Sequence, residues 1–321
     1  MENHSDSIDY WKNEIVAFLA LTSLKGVGYW TLRKIYESQL GFKELLKADS
    51  EEVLSRYLRI PLPKGVLWSE YQQKLWASGI ERARNLKNNG VNLYFYDQPS
   101  FPESLKSISE PPYWIFVSGQ LDNLKRKSVA IVGTRKPSID GMFLTKILIS
   151  SLNDLNLCTI SGLATGIDQL CHTESIRYGI PTVAVLGNGI FVEFPKGASS
   201  ISHEIIKNNG TIVTEYLPEQ TYSSENFVRR NRIQAALCSV LFPVEWKIKS
   251  GTAHTVEYAF KYNKKIINIY LPKTYAERPE LVFSEKNRGA ISIELPKNIT
   301  SVLSEISNEK KDAPAQQSLD F

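Results

Sequence analysis

Small and positively charged residues follow an apolar segment at residues 129–132, where a buried strand is expected to end. Ser138 comes next as the N-cap of a predicted helix, whose free amide groups would point back across the strand end. A helix N-terminus attracts anions, and neighbouring basic side chains strengthen the attraction. We therefore expect a phosphate to be held here without a catalytic group. The residues concerned are Gly133, Thr134, Arg135 and Lys136.

Five closely spaced residues further along the chain favour nucleic-acid binding more strongly: Phe227, Arg229, Arg230, Asn231 and Arg232. No acidic residue follows within the next helical turn to offset the arginines. Arginines with an asparagine and a nearby aromatic ring suit a phosphate backbone whose base is stacked or hydrogen-bonded close by. We expect Arg135, Arg230 and Arg232 to line one strip together with the helix N-terminus after Gly133.

The elements that would position these residues follow an α/β pattern. From residue 128 onward, short apolar runs alternate with helical patterns, as in a mostly parallel sheet covered by helices on both faces. Ligands of such sheets bind beyond the carboxyl ends of the strands. Most of the unusual residues of the sequence follow the predicted strands. Each glycine among them also has a simpler interpretation, which is that it closes a strand-to-helix turn.

Four regions are predicted along the chain. Residues 1–89 form a helical domain, residues 90–127 form bridging strands and a loop, residues 128–306 form a Rossmann-like domain, and residues 307–321 form a flexible tail. Within the first region, the glycines at residues 26 and 28 separate two amphipathic segments, which outlines a helix-hairpin-helix. In such hairpins glycine allows backbone amides to approach a DNA phosphate, although the same turn occurs in proteins that do not bind DNA.

Composition restricts the function classes without selecting one. The 38 basic and 34 acidic residues give a net charge of only +4, so clusters rather than bulk charge must support nucleic-acid binding. No long uncharged apolar run or signal peptide is seen, and we expect a cytoplasmic protein that spans no membrane. The three cysteines are widely spaced in apolar surroundings and no Cys/His pair has ligand spacing, so neither a metal nor a cofactor is expected.

Several motifs occur in an order that resembles the DNA-processing protein A family (DprA, also called Smf). They are Val-Ala-Ile-Val-Gly-Thr-Arg-Lys-Pro-Ser at 129–138, Ser-Gly-Leu-Ala-Thr-Gly-Ile-Asp at 161–168 with His172, the segment 227–232, and Ser-Gly-Thr at 250–252. The resemblance covers roughly residues 10–270. It implies an extended Rossmann-like, mostly parallel sheet with an N-terminal helical domain of the helix-hairpin-helix or SAM-like type.

The resemblance also implies a function and a set of contacts. Members of the family bind single-stranded DNA without catalysis, form dimers and help to load the RecA recombinase during natural transformation. By position, the family's DNA-contacting loops match Gly133, Arg135, Ser161, Gly162, Gly166, Arg230, Asn231 and Arg232, and we add Thr134, Lys136, Asn188, Phe227, Arg229, Lys249, Ser250, Gly251 and Thr252 as further candidates. After Pro272 the family's Gly-rich segment is degraded, and its C-terminal winged helix is not seen.

Two further interpretations stay open. Gln316, Leu319 and Phe321 resemble the short peptides with which bacterial proteins dock on the replicative sliding clamp. The chain also faintly resembles nucleotide N-glycosidic hydrolases of a neighbouring superfamily, whose chemistry requires a carboxylate close to the bond that is cleaved. Its candidate carboxylates are Asp168, Glu215, Glu245 and Glu257.

Overall fold

The computed structural model describes residues 8–58 and 65–308. Among these residues a single sheet of nine strands, in the order β1-β2-β6-β5-β4-β3-β7-β8-β9, is packed with helices. Seven strands, β3 to β9, are parallel to one another, and β1 and β2 join the β6 edge in antiparallel pairing. The predicted α/β class and mostly parallel sheet are confirmed. The strands are β1 (Val91–Phe95), β2 (Trp114–Gly119), β3 (Ser128–Gly133), β4 (Cys158–Ser161), β5 (Thr182–Val185), β6 (Thr211–Thr214), β7 (Val240–Val244), β8 (Lys265–Tyr270) and β9 (Ile291–Glu294).

The N-terminal region is helical, as predicted. Its helices are α1 (Ile8–Thr22), α2 (Tyr29–Glu37), α3 (Phe42–Leu46), α4 (Glu51–Ser55) and α5 (Trp68–Asn88). The helical patterns at residues 67–77 and 80–87 of the sequence predict two separate helices. This prediction is wrong, because α5 runs through Gly79 without a break. A Cβ atom at Gly79 would overlap the backbone of Val16 in α1, so this glycine permits close helix packing rather than ending a helix.

The remaining helices cover the two faces of the sheet. They are α6 (Glu103–Lys106), α7 (Ile139–Ser151), α8 (Ile167–Arg177), α9 (Ala198–Lys207), α10 (Ser224–Leu237), α11 (Gly251–Lys261), α12 (Pro279–Arg288) and α13 (Ile299–Ser307). One apolar core joins the inner faces of α10 and α11 to β3, β4 and β7, and another joins α7, α8 and α13 to the opposite face. The segment after Pro272 contains a short 3-10 helix, Tyr275–Glu277, before α12.

The N-terminal helices share their core with the antiparallel edge of the sheet. Phe18 of α1 contacts Trp114 of β2 and Phe95 of β1 at ring-centroid distances of 5.0 and 5.5 Å. The predicted bridge of residues 90–127 thus supplies two strands to the sheet as well as a link between regions. The division at residues 89, 127 and 306 stays a prediction. Most of the predicted tail, including Gln316, Leu319 and Phe321, lies outside the described residues.

The order of the strands fixes where a ligand is expected. The chain passes from β3 through β4 and β5 to β6 on one side, and then returns to place β7 and β8 on the other side of β3. The direction of winding therefore reverses between β3 and β7, and the carboxyl ends of strands at such a reversal usually form the ligand crevice. Among the described residues, no helix is long and apolar enough to cross a membrane.

Candidate nucleic-acid interface

The loop after β3 presents two cations at the carboxyl edge of the sheet. The side chains of Arg135 and Lys136 are exposed, whereas Gly133 and Thr134 are partly covered. A Cβ atom at Gly133 would overlap the carbonyl oxygen of Val244 in β7, so this glycine serves packing between neighbouring strands. The Thr134 amide donates to the Glu245 carbonyl at 3.2 Å, which ties the loops after β3 and β7 together.

The N-terminus of α7 differs from our expectation. Ser138 is the N-cap as predicted, and its Oγ accepts a hydrogen bond from the Gly141 amide at 3.1 Å. The Ser138 amide, however, donates to Oε2 of Glu245 at 2.8 Å. The protein's own carboxylate therefore lies where we expected a phosphate. A second anion at the same place would be repelled, so the prediction of a phosphate on this helix N-terminus is wrong.

Three aromatic side chains form a cluster, and one of them, Phe227, contacts Arg135. The Arg135 guanidinium is 5.9 Å from the ring centre of Phe227. Phe194 contacts Phe227 and Tyr222 at centroid distances of 4.9 and 4.0 Å, and Tyr222 is 51% exposed. We call Arg135, Phe194, Tyr222 and Phe227 the aromatic–arginine patch. Arg135 and Phe227 were predicted site residues, whereas Phe194 and Tyr222 were not, because they are separated along the chain and lie in loops without periodicity.

Arg230 and Asn231 lie below this patch and brace the loops around it. Arg230 is 4% exposed and donates to the Val185 carbonyl at 3.0 Å, while Asn231 donates to the Gly251 carbonyl at 3.1 Å. With its amide oriented to satisfy its neighbours, Gln234 accepts from Arg230 and from the Gly162 amide, both at 2.9 Å. A side chain at Gly162 would overlap the Arg230 guanidinium. These residues therefore join the loops after β4, β5 and β7 from beneath.

The loop after β4 is held by a buried carboxylate. Asp168 is 7% exposed and interacts with the Ser161 hydroxyl and with the amides of Gly162 and Ala164. Burial raises the pKa of Asp168, and the charge of Arg230 opposes that rise. Ser161 is itself fully buried and donates to the Ile131 carbonyl at 2.6 Å. Both residues thus fix the loop rather than face solvent.

Gly166 brings this loop against the loop after β3. It has a left-handed φ of +93°, and a Cβ atom there would overlap the backbone of Thr134 and Arg135. The neighbouring Ile167 amide donates to the Thr134 carbonyl at 3.2 Å. Gly166 is therefore required so that the backbone carrying Arg135 can lie against the start of α8.

Arg232 is enclosed rather than exposed, which corrects the expectation that it lines the surface strip. It is 0% exposed and pairs with Glu215 through two hydrogen bonds of 2.5 and 2.7 Å. Tyr29 also donates to Glu215, at 2.8 Å. Although burial would raise the pKa of Glu215, the charge and hydrogen bonds of Arg232 outweigh it and hold that pKa below its usual range. The acidic partner that we did not find within the next turn comes instead from Glu215, the first residue after β6.

This buried group of Tyr29, Glu215 and Arg232 links the regions of the chain. Arg232 also donates to the Glu110 carbonyl at 2.7 Å, and the Trp114 indole donates to the Glu215 carbonyl at 2.9 Å. The pair of Arg232 and Glu215 thus connects α10, which contains Arg232, to α2 and to the loop before β2. It fixes α10, which carries Phe227 at its N-terminal end.

Arg229 has a different environment from its two neighbours. It is half-buried between Tyr29 and Trp30, with its guanidinium 4.8 and 4.6 Å from their ring centres. It donates to the Tyr29 hydroxyl at 3.0 Å, while its Nε atom is buried without a hydrogen-bond partner. Arg229 therefore faces the N-terminal helices rather than the aromatic–arginine patch.

The remaining candidates divide into exposed and enclosed residues. Asn188 is 1% exposed and donates to the carbonyls of Gly189 and Val192, so it holds its own loop. Ser250 is the N-cap of α11 and accepts from the Ala253 amide. Lys249 and Gly251 are exposed and Thr252 is partly exposed.

All four carboxylates considered for glycosidic hydrolysis have partners within the protein. Asp168, Glu215 and Glu245 hold a loop, a buried arginine and a helix N-terminus, as described above. Glu257 pairs with Arg288 at 2.6 Å and with Lys261 at 3.7 Å. Among residues 8–58 and 65–308, no group of three or more His, Cys, Asp or Glu side chains is placed to hold a metal ion.

The fold and the strand-end edge together define a Rossmann-like α/β protein whose ligand surface carries exposed cations and aromatic rings. Comparison with known families identifies the group more closely. The model of the family described as DNA recombination-mediator protein A matches residues 92–306. The chain belongs to this family, which confirms the family resemblance seen in the sequence.

Relatives and solved structures agree with this assignment. The chain is 35% identical to DNA processing protein DprA of Streptococcus pneumoniae over 197 residues, which are 59% of this chain and 69% of that protein. It is 32% identical to protein Smf of Synechocystis over 177 residues, which are 54% of this chain and only 44% of that protein. The alignments thus span about half to two thirds of these relatives.

Two solved structures share the fold. The structure of DprA from Streptococcus pneumoniae has a TM-score of 0.60 at 22% identity, with 94% of this chain and 98% of that one covered. DNA processing protein A from Helicobacter pylori, described for its single-stranded DNA binding mode, has a TM-score of 0.57 at 23% identity. That match covers 67% of this chain and 96% of the other.

Proposed function

We propose that this protein binds single-stranded DNA at the aromatic–arginine patch and acts as a recombination mediator. The observation that carries the proposal is the placement of exposed Arg135 over Phe227, beside Phe194 and Tyr222, at the carboxyl edge of the sheet. Aromatic rings stack on bases of any sequence, and each stacked base contributes about 1–3 kcal/mol. Arg135, Lys136 and Lys249 then contact phosphates on either side of the stacked bases.

Single strands are preferred over duplexes in this proposal. In a duplex the bases are paired and stacked on one another, so their faces are not available to Phe194, Tyr222 and Phe227. A phosphate contact alone would not distinguish the two forms, because both carry the same backbone charge. The similarity to the Helicobacter pylori protein supports the preference for single strands.

We include three further features on the strength of the family membership. The protein is cytoplasmic, forms a homodimer, and presents its DNA strand to the RecA recombinase. Light scattering at micromolar concentration is expected to give twice the chain mass of 36.3 kDa, and the protein is expected to speed RecA assembly on a strand coated with a single-strand-binding protein. A monomer without effect on RecA would contradict this part of the proposal.

The role is proposed to be non-enzymatic. Hydrolysis of a glycosidic bond requires a carboxylate next to the reacting atoms, and Asp168, Glu215, Glu245 and Glu257 all hold other parts of the protein. Incubation with free nucleotides is therefore expected to release no base. Release of base by the wild type that is lost in Glu257→Gln would contradict the proposal.

We also propose that Gln316, Leu319 and Phe321 dock on the replicative sliding clamp. The support is their spacing in the sequence alone. A pull-down with purified clamp is expected to recover the full chain and to lose a chain that ends at Ala315. Equal recovery of both chains would refute clamp docking and leave DNA binding unaffected.

The DNA-binding proposal is tested by fluorescence anisotropy with a labelled strand of about 20 nucleotides at two salt concentrations. Arg135→Ala is expected to weaken binding and to reduce the log–log salt slope by about 0.7, because one phosphate contact is lost. Arg177→Ala is the matched control, since it removes a charge from a side chain that is 69% exposed at the far end of α8. Equal binding by the two variants would contradict the proposal.

A further inference from the structure

Trp30 is the one exposed tryptophan of the six in the sequence, all of which lie in the described residues. It is 60% exposed at the start of α2, beside the glycines of the predicted hairpin. Arg229 and Arg33 lie 4.6 and 5.7 Å from its ring centre. An exposed indole next to fixed guanidinium groups offers a flat surface for stacking.

A shallow, open cavity of about 460 Å³ lies next to this indole, between α2, α10 and α11. Trp30 and Tyr258 supply aromatic surface, and Glu110 and Glu225 supply carboxylates. Its lining residues are Trp30, Glu110, Ser224, Glu225, Val228, Arg229 and Tyr258. The two carboxylates disfavour a phosphate here, whereas a flat neutral group with hydrogen-bond donors suits both the rings and the carboxylates.

The cavity lies close to the aromatic–arginine patch. Phe227 and Arg229 are two residues apart on α10, so they differ by about 200° around the helix and by about 3 Å along it. Phe227 therefore faces the strand-end loops, and Arg229 faces α2 and Trp30. The segment 222–225 at the start of α10 joins the two surfaces, because Tyr222 belongs to the patch and Ser224 and Glu225 line the cavity. A DNA strand that crosses this helix start reaches both surfaces.

We propose that the cavity beside Trp30 holds a base that carries an exocyclic amino group, from the same DNA strand that occupies the aromatic–arginine patch. The inference rests on the proposed function and extends it to the N-terminal helices. The base stacks on Trp30, and its amino group donates to Glu225 or Glu110, as a carboxylate accepts from the cytosine N4 amino group. Thymine has only the O4 acceptor at that position and lacks this bond.

Arg229 fixes the geometry of this cavity. Its hydrogen bond to the Tyr29 hydroxyl, and its position between the rings of Tyr29 and Trp30, hold α2 against α10. Tyr29 in turn donates to buried Glu215, so this wall is anchored in the core. The cavity is therefore formed before a base arrives, which reduces the entropy lost on binding.

The test compares oligo-dC and oligo-dT strands of about 20 nucleotides, with anisotropy for affinity and tryptophan fluorescence for stacking. The wild type is expected to bind oligo-dC about tenfold more tightly than oligo-dT, and to lose part of its fluorescence on binding. Trp30→Ala and the double variant Glu110→Ala/Glu225→Ala are expected to bind both strands equally. Phe260→Ala is the matched control, because it removes another exposed aromatic ring, stacked with Arg288, that does not line the cavity.

The possible outcomes separate this inference from the proposed function. Wild-type protein that binds both strands equally well, without a fluorescence change, overturns the inference and leaves DNA binding at the aromatic–arginine patch intact. Equal losses in Trp30→Ala and Phe260→Ala also overturn it. Wild-type protein that binds neither strand overturns both proposals.

Discussion

Arg232 and Arg135 lie near the same edge of the sheet in opposite environments. Arg232 is fully enclosed and bonded to Glu215 and to the Glu110 carbonyl, whereas Arg135 is exposed and contacts the ring of Phe227. A buried guanidinium with its donors used cannot also hold a phosphate without breaking those bonds. An exposed guanidinium remains free to do so. The first therefore stabilises the fold, and the second is suited to a ligand.

Removal of Arg232 gives the largest expected effect, because it leaves the Glu215 carboxylate buried without its partner. Arg232→Ala is expected to lower the free energy of unfolding by about 3–5 kcal/mol. Urea denaturation followed by circular dichroism measures this loss. The double variant Glu215→Gln/Arg232→Met leaves no buried charge and is expected to lose much less. Equal losses in both variants would show that the ion pair is not the cause.

A side chain at Gly162 tests the brace beneath the patch. Gly162→Ala places a Cβ atom against the Arg230 guanidinium and near Asp168, and is expected to lower the free energy of unfolding by about 3 kcal/mol. Gly251→Ala is the control, because no atom lies close to its added Cβ, and a change below about 0.5 kcal/mol is expected. If Gly162→Ala leaves the free energy of unfolding unchanged, the Arg230 guanidinium is free to move and does not brace the loops.

The pH dependence of stability tests the buried histidine behind the same loop. Burial lowers the pKa of His172 from 6.5 to about 3, so the fold favours the neutral ring. The stability that neutral His172 contributes is fully present above pH 6.5, the pKa of the histidine in the unfolded chain. It is lost as the pH falls below 6.5. We expect about 2 kcal/mol to be lost between about pH 7 and about pH 5.

Comparison of the wild type with a variant that lacks His172 isolates the contribution of this histidine to stability. Asp168, whose pKa is raised by burial, acts in the opposite direction, so the total change alone does not identify His172. His172→Gln is expected to lose markedly less stability than the wild type over the same pH range. Parallel pH profiles of the two proteins would exclude His172 as the cause.

The smallest expected effect is on the salt dependence of DNA binding, when a single exposed cation at the carboxyl edge of the sheet is removed. Lys249→Ala is expected to reduce the log–log salt slope of single-strand binding by about 0.7 and to leave stability unchanged. Lys207→Ala, at the C-terminal end of α9 with a side chain that is 67% exposed, is the control. If both variants keep the wild-type slope, Lys249 contacts no phosphate.

Sequence patterns predicted the parallel sheet and most of its strands, because buried strands leave short apolar runs rich in β-branched residues. The apolar runs at residues 211–214 and 265–270 predict two strands, and β6 and β8 have these bounds. Patterns failed at Gly79, where glycine in a helix serves a close contact with α1 rather than a break. That distinction depends on a neighbouring helix distant in sequence, which local propensity does not contain.

The sequence predicted which residues lie at the site better than it predicted which of their side chains face solvent. The sequence placed Arg135, Phe227 and Arg232 at one edge of the sheet, but it did not reveal that Glu215 and Glu245 would each turn inward to neutralise a positive group. Such pairings are tertiary, since Glu215 and Arg232 belong to different elements. Phe194 was missed as a site residue for the same reason, because only the folded chain brings it to Phe227.

The central claim, that DNA lies on the aromatic–arginine patch, is tested most directly by photo-crosslinking. A single strand that contains 5-iododeoxyuridine is bound, irradiated and mapped by mass spectrometry of the crosslinked peptides. The account predicts crosslinks at Phe194, Tyr222 or Phe227, which are lost when the strand is displaced by high salt. Crosslinks confined to other surfaces, with these three aromatic residues unmodified, would contradict the account.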